Sequence, residues 1–306
     1  MTLFLEQTLN GVQLGLLLFL MAAGLTLIFG IMNFMNLAHG SLFMAGAYLA
    51  TSLIAWTGSF AAGLTLAVAA TTVLGLALEQ SVLKPFFGRH HLDQVLATFA
   101  LILIANDAVR MIWGDSGLTI AVPAALAGHV TLFGEVSYPV YRCFIIALGL
   151  AVAAILYAVI QHTRVGMIVR AGASDRETAS ALGANVPLLF AAVFGFGAAL
   201  AGLAGIVAAP ILTVQSGMGD DILILALVLV VIGGIGSIRG AFVAALLVGL
   251  VDSLGRSYFP ALLRVFLDPA TASSISSALS AMLVYVLLAL VLLLRPGGLL
   301  PVGGRA

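Results

Sequence analysis

The sequence predicts an all-α fold, a polytopic transmembrane helical bundle of eight or nine spans with broken or re-entrant helices. Three observations carry this expectation. Hydrophobic residues make up 62% of the 306 positions and charged residues only 8%, with a mean hydropathy of +1.22. Soluble domains carry roughly a quarter charged residues, and this much apolar surface exceeds what one soluble core hides. The apolar residues also gather into repeated runs of about 20, the length that crosses a bilayer as a helix. Glycine-rich and asparagine-containing breaks interrupt those runs.

Nine candidate spans follow in chain order, at 11–31, 36–56, 60–83, 95–113, 140–162, 188–210, 220–236, 240–257 and 277–295. The first follows MTLFLEQTLNG, which lacks the cationic start of a signal peptide, and is therefore read as retained. Between the first two spans lies GIMNFMNLAHGS, where Asn33, Asn36, His39, Gly40 and Ser41 suit a break and a new helix start. Irregular backbone inside a membrane protein is tolerated only where it is buried or lines a cavity, and its free N–H groups suit a solute carboxylate. Asn33, Asn36, His39 and Ser41 are thus candidates to line a translocation path. A cap at the membrane surface, with His39 packed against a neighbour, accounts for the same residues.

The third span carries Glu79, whose nearest cation in sequence is Lys84, and ends at KPFFGRHHLD. Asp107 and Arg110 in the fourth span are three apart, and Asp252 and Arg256 in the eighth are four apart, which puts opposite charges on one helix face. Local pairing near helix ends explains them. Intramembrane charge is otherwise a functional signal, but a proton relay wants several unpaired carboxylates, and Glu79 alone remains. The loop at 114–139 holds turn residues and a β-prone run, His129 to Phe133, compatible with a small lid or hairpin or with an irregular connector.

In the sixth span Gly195, Gly197, Gly202 and Gly205 alternate with Ala198, Ala199, Ala201 and Ala204, which lets neighbouring helices approach closely. Asp220 and Asp221 open the seventh, where the helix dipole favours negative charge. The seventh and eighth are short and joined by Gly233-Gly234-Ile235-Gly236-Ser237-Ile238-Arg239-Gly240. This break lacks the lysine of a phosphate-binding loop; it reads as a tight helix contact or helical hairpin, with Arg239 anchoring it at the inner interface. Gly233, Gly234, Gly236 and Ser237 form a second set of path candidates.

The most polar internal stretch is RVGMIVRAGASDRETASALGANVP, Arg164 to Pro187. Ser174 and Glu177 have the spacing of a capping box, Ala179, Ala181 and Leu182 favour helix, Gly183 suits a left-handed terminus, and Pro187 can open the next helix. A helix of about two turns is marginal alone in water, so it is expected to lean on a partner protein. With this stretch, the 84–93 break and the tail from Arg295 on the cytoplasmic side, Lys84, Arg89, Arg164, Arg170, Arg176, Arg239, Arg295 and Arg305 lie inside. These are eight of the 12 Lys and Arg residues, as the positive-inside rule expects. The amino terminus is then outside and the carboxyl terminus cytoplasmic.

The composition also excludes several classes. A net charge of zero without a basic stripe argues against nucleic acid. The single cysteine, Cys143, excludes an intrachain disulfide and a cysteine cluster for zinc. No HExxH or GxSxG spacing marks an enzyme site.

Several stretches together resemble LivH-type permeases, the membrane subunits of ABC importers for branched-chain amino acids. They are Gly24 to Ala50 (GLTLIFGIMNFMNLAHGSLFMAGAYLA), Arg170 to Val186, Gly195 to Pro210, Val231 to Ala241, and the ending RPGGLLP from Arg295 to Pro301. The resemblance implies a single permease domain over 1–306, with 114–139 external and 164–187 a cytoplasmic coupling loop. It implies a bacterial inner membrane location and a heterodimer with a LivM-like permease subunit. Two cytoplasmic ABC ATPases would bind ATP and Mg, an external solute-binding protein would deliver substrate, and this chain would bind no cofactor. It places the Ser174–Gly183 helix in the ATPase groove, with Arg170, Ser174, Asp175, Arg176, Glu177, Ala179, Leu182 and Gly183 as coupling residues. Urea, amides or other small carboxylates are alternative substrates within the family; an ion-coupled secondary transporter, or a passive channel, is the alternative outside it.

Overall fold

The computed structural model describes residues 2–132, 136–174, 176–181, 183 and 185–301, with Leu132, Val136, Ser174, Arg176 and Glu177 described by backbone alone. The described residues form eleven α-helices and one small hairpin. The helices are α1 (Thr2–Met32), α2 (His39–Thr57), α3 (Phe60–Leu78), α4 (His91–Trp113), α5 (Val140–His162), α6 (Arg164–Ser174), α7 (Arg176–Ala181), α8 (Val186–Ala208), α9 (Met218–Gly233), α10 (Ile238–Leu263) and α11 (Pro269–Leu294). Eight of them, counting α3 with the turns that extend it to Phe86, are long and apolar enough to cross a membrane.

Helix ends sit where the residues dictate. Gly58 (φ 64°) closes α2, and the Ser59 side chain accepts from Ala62 N–H to open α3. Asp268 caps α11 by accepting from Thr271 N–H at 3.0 Å, and hydrogen bonds from Thr271 hold its carboxyl below the usual range. The expected seventh span is corrected: α9 has 16 residues, because Gly234 (φ 100°) ends it before the predicted boundary. The eighth is longer than expected and runs through Pro260 to Leu263. In the 114–139 loop, β1 (His129–Leu132) pairs antiparallel with β2 (Val136–Pro139), so that loop carries a hairpin; Phe133 lies outside the described residues.

The chain divides into two compact units. One comprises Met1–Phe19, Val122–Ala151 and Val228–Ala306. Here Gly11 and Gly15 of α1 lie backbone to backbone against α10; a Cβ at Gly15 would meet the Ala245 carbonyl at 2.6 Å. Asn10 accepts from the Tyr138 hydroxyl at 3.2 Å and from Arg142, which ties the hairpin to α1. Burial raises the Tyr138 pKa, with Arg142 acting in the opposite direction, and keeps the phenol a donor. Arg256 pairs with Asp252 at 2.8 Å, as the i,i+4 spacing predicts. Leu299 and Leu300 N–H donate to the Ile232 and Gly233 carbonyls at 2.8 and 3.2 Å. The RPGGLLP ending thus satisfies carbonyls at the end of α9 that a helix terminus leaves open.

The other unit comprises Leu20–Ala121 and Val152–Leu227. Its centre is the mutual packing of α2, α3 and α8, around a core that includes Ala50, Ala67 and Ile206. The glycines of α8 make this close: Gly202 lies on Gly46 of α2, and Gly205 on the Phe43 carbonyl. Arg110 pairs with Asp107 at 3.9 Å, as its spacing predicts, and with Asp115 at 3.5 Å, all three exposed. Asp220 sits in the first turn of α9 and also accepts from Asn106 at 3.1 Å.

Candidate functional site

The polar stretch between α5 and α8 is helical over 164–174 and 176–181; α7 lies where the short helix was expected, and α6 precedes it. α6 continues from α5 after a bend at Thr163, whose hydroxyl accepts from Gly166 N–H at 3.2 Å. Gly166 presses against the Ile160 carbonyl, leaving no room for a side chain, and the Arg170 guanidinium donates to that same carbonyl. Arg170 thus satisfies one of α5's terminal acceptors, a role suited to a basic side chain near a helix C-terminus. Gly172 abuts Leu189, so α6 also packs on α8.

α6 is described as far as Ser174 and α7 from Arg176. The residue between them, Asp175, lies outside the described residues, as does Leu182; the Ser174–Glu177 capping box and the Arg176 side chain do so too. Ala179 of α7 is buried. Gly183 adopts the expected left-handed conformation (φ 93°) and donates to the Ser180 carbonyl at 2.9 Å. Asn185 accepts from Leu188 N–H at 3.1 Å, and Pro187 lies in the first turn of α8. α6 was missed because two glycines lower its helix propensity; Val165 and Val169, one turn apart, were the available signal.

The break between α1 and α2 covers residues 33–38. Asn33 is left-handed (φ 49°) and exposed, and its N–H donates to the Phe29 carbonyl at 2.9 Å to finish α1. Asparagine visits this region more readily than other non-glycine residues. Asn36, His39 and Ser41 are 1%, 0% and 8% exposed. None of their side-chain nitrogens or oxygens makes a well-formed hydrogen bond among the described residues, and Thr26 of α1 is in the same state. His39 Nε2 lies close over Gly24, where a Cβ would be 2.9 Å away. An unmet buried polar group costs about 1–3 kcal/mol, so several within one short break set it apart from the packed core.

The second set of path candidates has a different role in its own unit. Gly234 (φ 100°) and Gly236 (φ 79°) form the turn of an α9–α10 hairpin, Gly233 touches Gly240 backbone to backbone, and Ser237 caps α10 by accepting from Gly240 N–H at 3.1 Å. Ser237→Ala should cost about 1 kcal/mol of stability, the usual worth of such a cap, read as a lowered melting temperature of the detergent-solubilised protein. Among the described residues no group of three or more His, Cys, Asp or Glu could hold a metal ion.

Sequence reasoning also missed the setting of Glu79. It begins a π-helical turn, Glu79–Leu83, at the end of α3 and lines a cavity that α8 completes.

Comparison with known proteins agrees with the helical architecture. A family model described as the permease component of branched-chain amino acid transport systems matches residues 7–293. The high-affinity branched-chain amino acid transport system permease protein LivH of Escherichia coli K12 is 29% identical over 318 aligned residues, covering 97% of this chain and 95% of the relative. BraD of Pseudomonas aeruginosa, described in the same words, is 29% identical over 314 residues with the same coverage. A probable LivH of Methanocaldococcus jannaschii is 26% identical over 251 residues, 78% of this chain and 76% of the relative. No solved structure matches.

Proposed function

The chain belongs to the permease-component family of branched-chain amino acid transport systems and is an integral-membrane permease subunit of an ABC importer, and from that premise we propose that it carries leucine, isoleucine and valine in a heterodimer with a LivM-like permease. It is a transport subunit, not an enzyme. Two cytoplasmic ABC ATPases bind ATP and Mg and hydrolyse the nucleotide; an external solute-binding protein delivers the amino acid. The complex sits in the bacterial plasma membrane, with the amino terminus of this chain outside and its carboxyl terminus in the cytoplasm.

One observation carries the coupling part of this reading. α6 and α7 form a short helical segment held on both sides by long apolar helices, with Arg170 fastening it to the end of α5 and Gly172 seating it on α8. An ATPase that grips α7 and its flanks through Ser174, Asp175, Arg176, Glu177, Leu182 and Gly183 moves α5 and α8 as levers. Ala179 is the buried side of that grip. Because α8 packs on α2, its tilt reaches the break that opens α2. There Asn33, at the rim, and Asn36, His39 and Ser41 line the path and exchange water for the polar groups of the passing solute. Gly233, Gly234, Gly236 and Ser237 are the second set of proposed path residues, held in their own unit as a hairpin turn.

The test is uptake of radiolabelled leucine into proteoliposomes holding this chain, its permease partner and the ATPases, with binding protein outside and ATP inside. Uptake that needs ATP and the ATPase supports the reading. Uptake by this chain alone, collapsed by an ionophore, replaces it with ion-coupled transport. Competition by urea or amides but not by valine replaces the substrate.

A further inference from the structure

We propose that the cavity between the end of α3 and the start of α8 binds a zwitterionic amino acid with an apolar side chain. This extends the importer reading above and rests on it for the substrate class. The cavity has a volume of about 480 Å³ and lies wholly within one unit, in the size range of small-molecule sites.

Its lining divides by chemistry. Glu79 contributes a carboxylate; the residue is only 3% exposed, and one carboxylate oxygen is buried without a hydrogen-bond partner. None of the described ion pairs includes it. The π-helical turn it begins re-aims side chains relative to a regular helix, a distortion that recurs at functional sites. Lys84, one turn further along, is exposed and lines the same cavity. The remaining wall is apolar: Phe87 and Phe190, whose rings meet edge to face at 5.9 Å, with Leu188 exposed at the mouth.

A buried carboxylate without a partner is costly unless a cation or hydrogen-bond donor meets it. The start of α8 offers an anion little, because Pro187 has no N–H and Leu188 N–H is already bonded to Asn185. The cavity thus presents one sheltered carboxyl group, one exposed lysine whose charge acts on it, and an aromatic wall. A free amino acid with an aliphatic side chain matches all three, with ammonium to Glu79, carboxylate to Lys84 and side chain against Phe87 and Phe190. A monocarboxylate would set like charges together at Glu79, and a simple amine would leave Lys84 unmet.

The experiment is equilibrium binding of tritiated L-leucine to the assembled importer in nanodiscs of phosphatidylcholine and phosphatidylglycerol, without binding protein. Saturable binding is expected, with 4-methylpentanoate and 3-methylbutylamine competing at least tenfold more weakly than valine. Glu79→Gln should weaken binding at least tenfold. So should Leu188→Trp, which fills the mouth and leaves the carboxylate intact. Wild-type affinity in both variants overturns the proposal. So does loss of binding in His39→Ala with full binding in Glu79→Gln, which moves the site to the polar break. Displacement of leucine by added phosphatidylethanolamine also overturns it, by assigning the site to an amine lipid headgroup. ATP-driven leucine uptake without leucine binding in the nanodiscs sinks this proposal alone; leucine binding without uptake sinks the importer reading alone.

Discussion

Gly205→Val is expected to leave no stably folded permease. A Cβ at Gly205 would sit inside contact distance of the Phe43 carbonyl group, its carbon 2.8 Å away, and would also meet Ala47 N at 3.3 Å. Both are backbone atoms of α2 at fully buried positions, so no side chain can swing aside. The helices must separate instead, and with them the small-residue contacts that let α2 and α8 touch along their length. Overpacking a core costs about 1–3 kcal/mol where side chains can adjust. Here the obstacle is main chain, and the expected loss is greater than about 4 kcal/mol, the exceptional end of single substitutions. The matched control is Gly128→Ala, where the nearest atom to a new Cβ is a Val140 methyl at 3.7 Å; that change should fall within about 0.5 kcal/mol of wild type. Thermal unfolding in detergent, followed by size-exclusion recovery, reads both. A Gly205→Val protein that melts like wild type would mean that α2 and α8 do not pack as described.

The reason such a position matters was legible before any coordinates. Small residues recur along α8 at spacings that bring backbones together, and the contacts of Gly197, Gly202 and Gly205 bear that pattern out. Span positions were equally legible, since a bilayer-length apolar run has few alternatives. What the residues alone did not disclose depends on partners distant in sequence. The span at about 220–236 lies two to three residues later than α9 (Met218–Gly233), because hydropathy does not register a left-handed glycine at 234. α6 was hidden by Gly166 and Gly172, whose poor helix propensity is overridden by packing on Ile160 and Leu189. Both breaks supplied path candidates, and the glycine-rich one was also read as a helix contact or hairpin. The glycine break is that hairpin, with its serine engaged as a cap; the other leaves Asn36 and Ser41 buried without a side-chain hydrogen bond among the described residues. Whether a polar side chain finds a partner is a property of three-dimensional neighbours, and no spacing rule encodes it. Glu79 follows the same logic, because the wall opposite it comes from α8, over a hundred residues later.

Exchanging the two charges of α7, as Arg176→Glu with Glu177→Arg, is expected to abolish uptake while leaving the protein in the membrane. The exchange keeps net charge constant, so the balance of Lys and Arg by which the proposed orientation would be set is unchanged. Helix propensity changes little, since Arg and Glu rank close together. The charge order that the proposed ATPase contact would read is, by contrast, reversed. Truncating one member of a buried interfacial charge pair costs about 2–5 kcal/mol, and two mismatched positions at one contact should reduce ATP-driven leucine uptake by at least about a hundredfold. Two readouts separate this from misfolding. The exchanged protein should be recovered from membranes at wild-type yield with an unshifted melting temperature, and it should co-purify with far less ATPase. Charge-complementary substitutions on the ATPase should restore part of the uptake, which no global defect would allow. Wild-type uptake by the exchanged protein would show that the motor does not grip α7, and the lever would then have to be sought in the exposed apolar residues of α6, Val165, Met167 and Ile168.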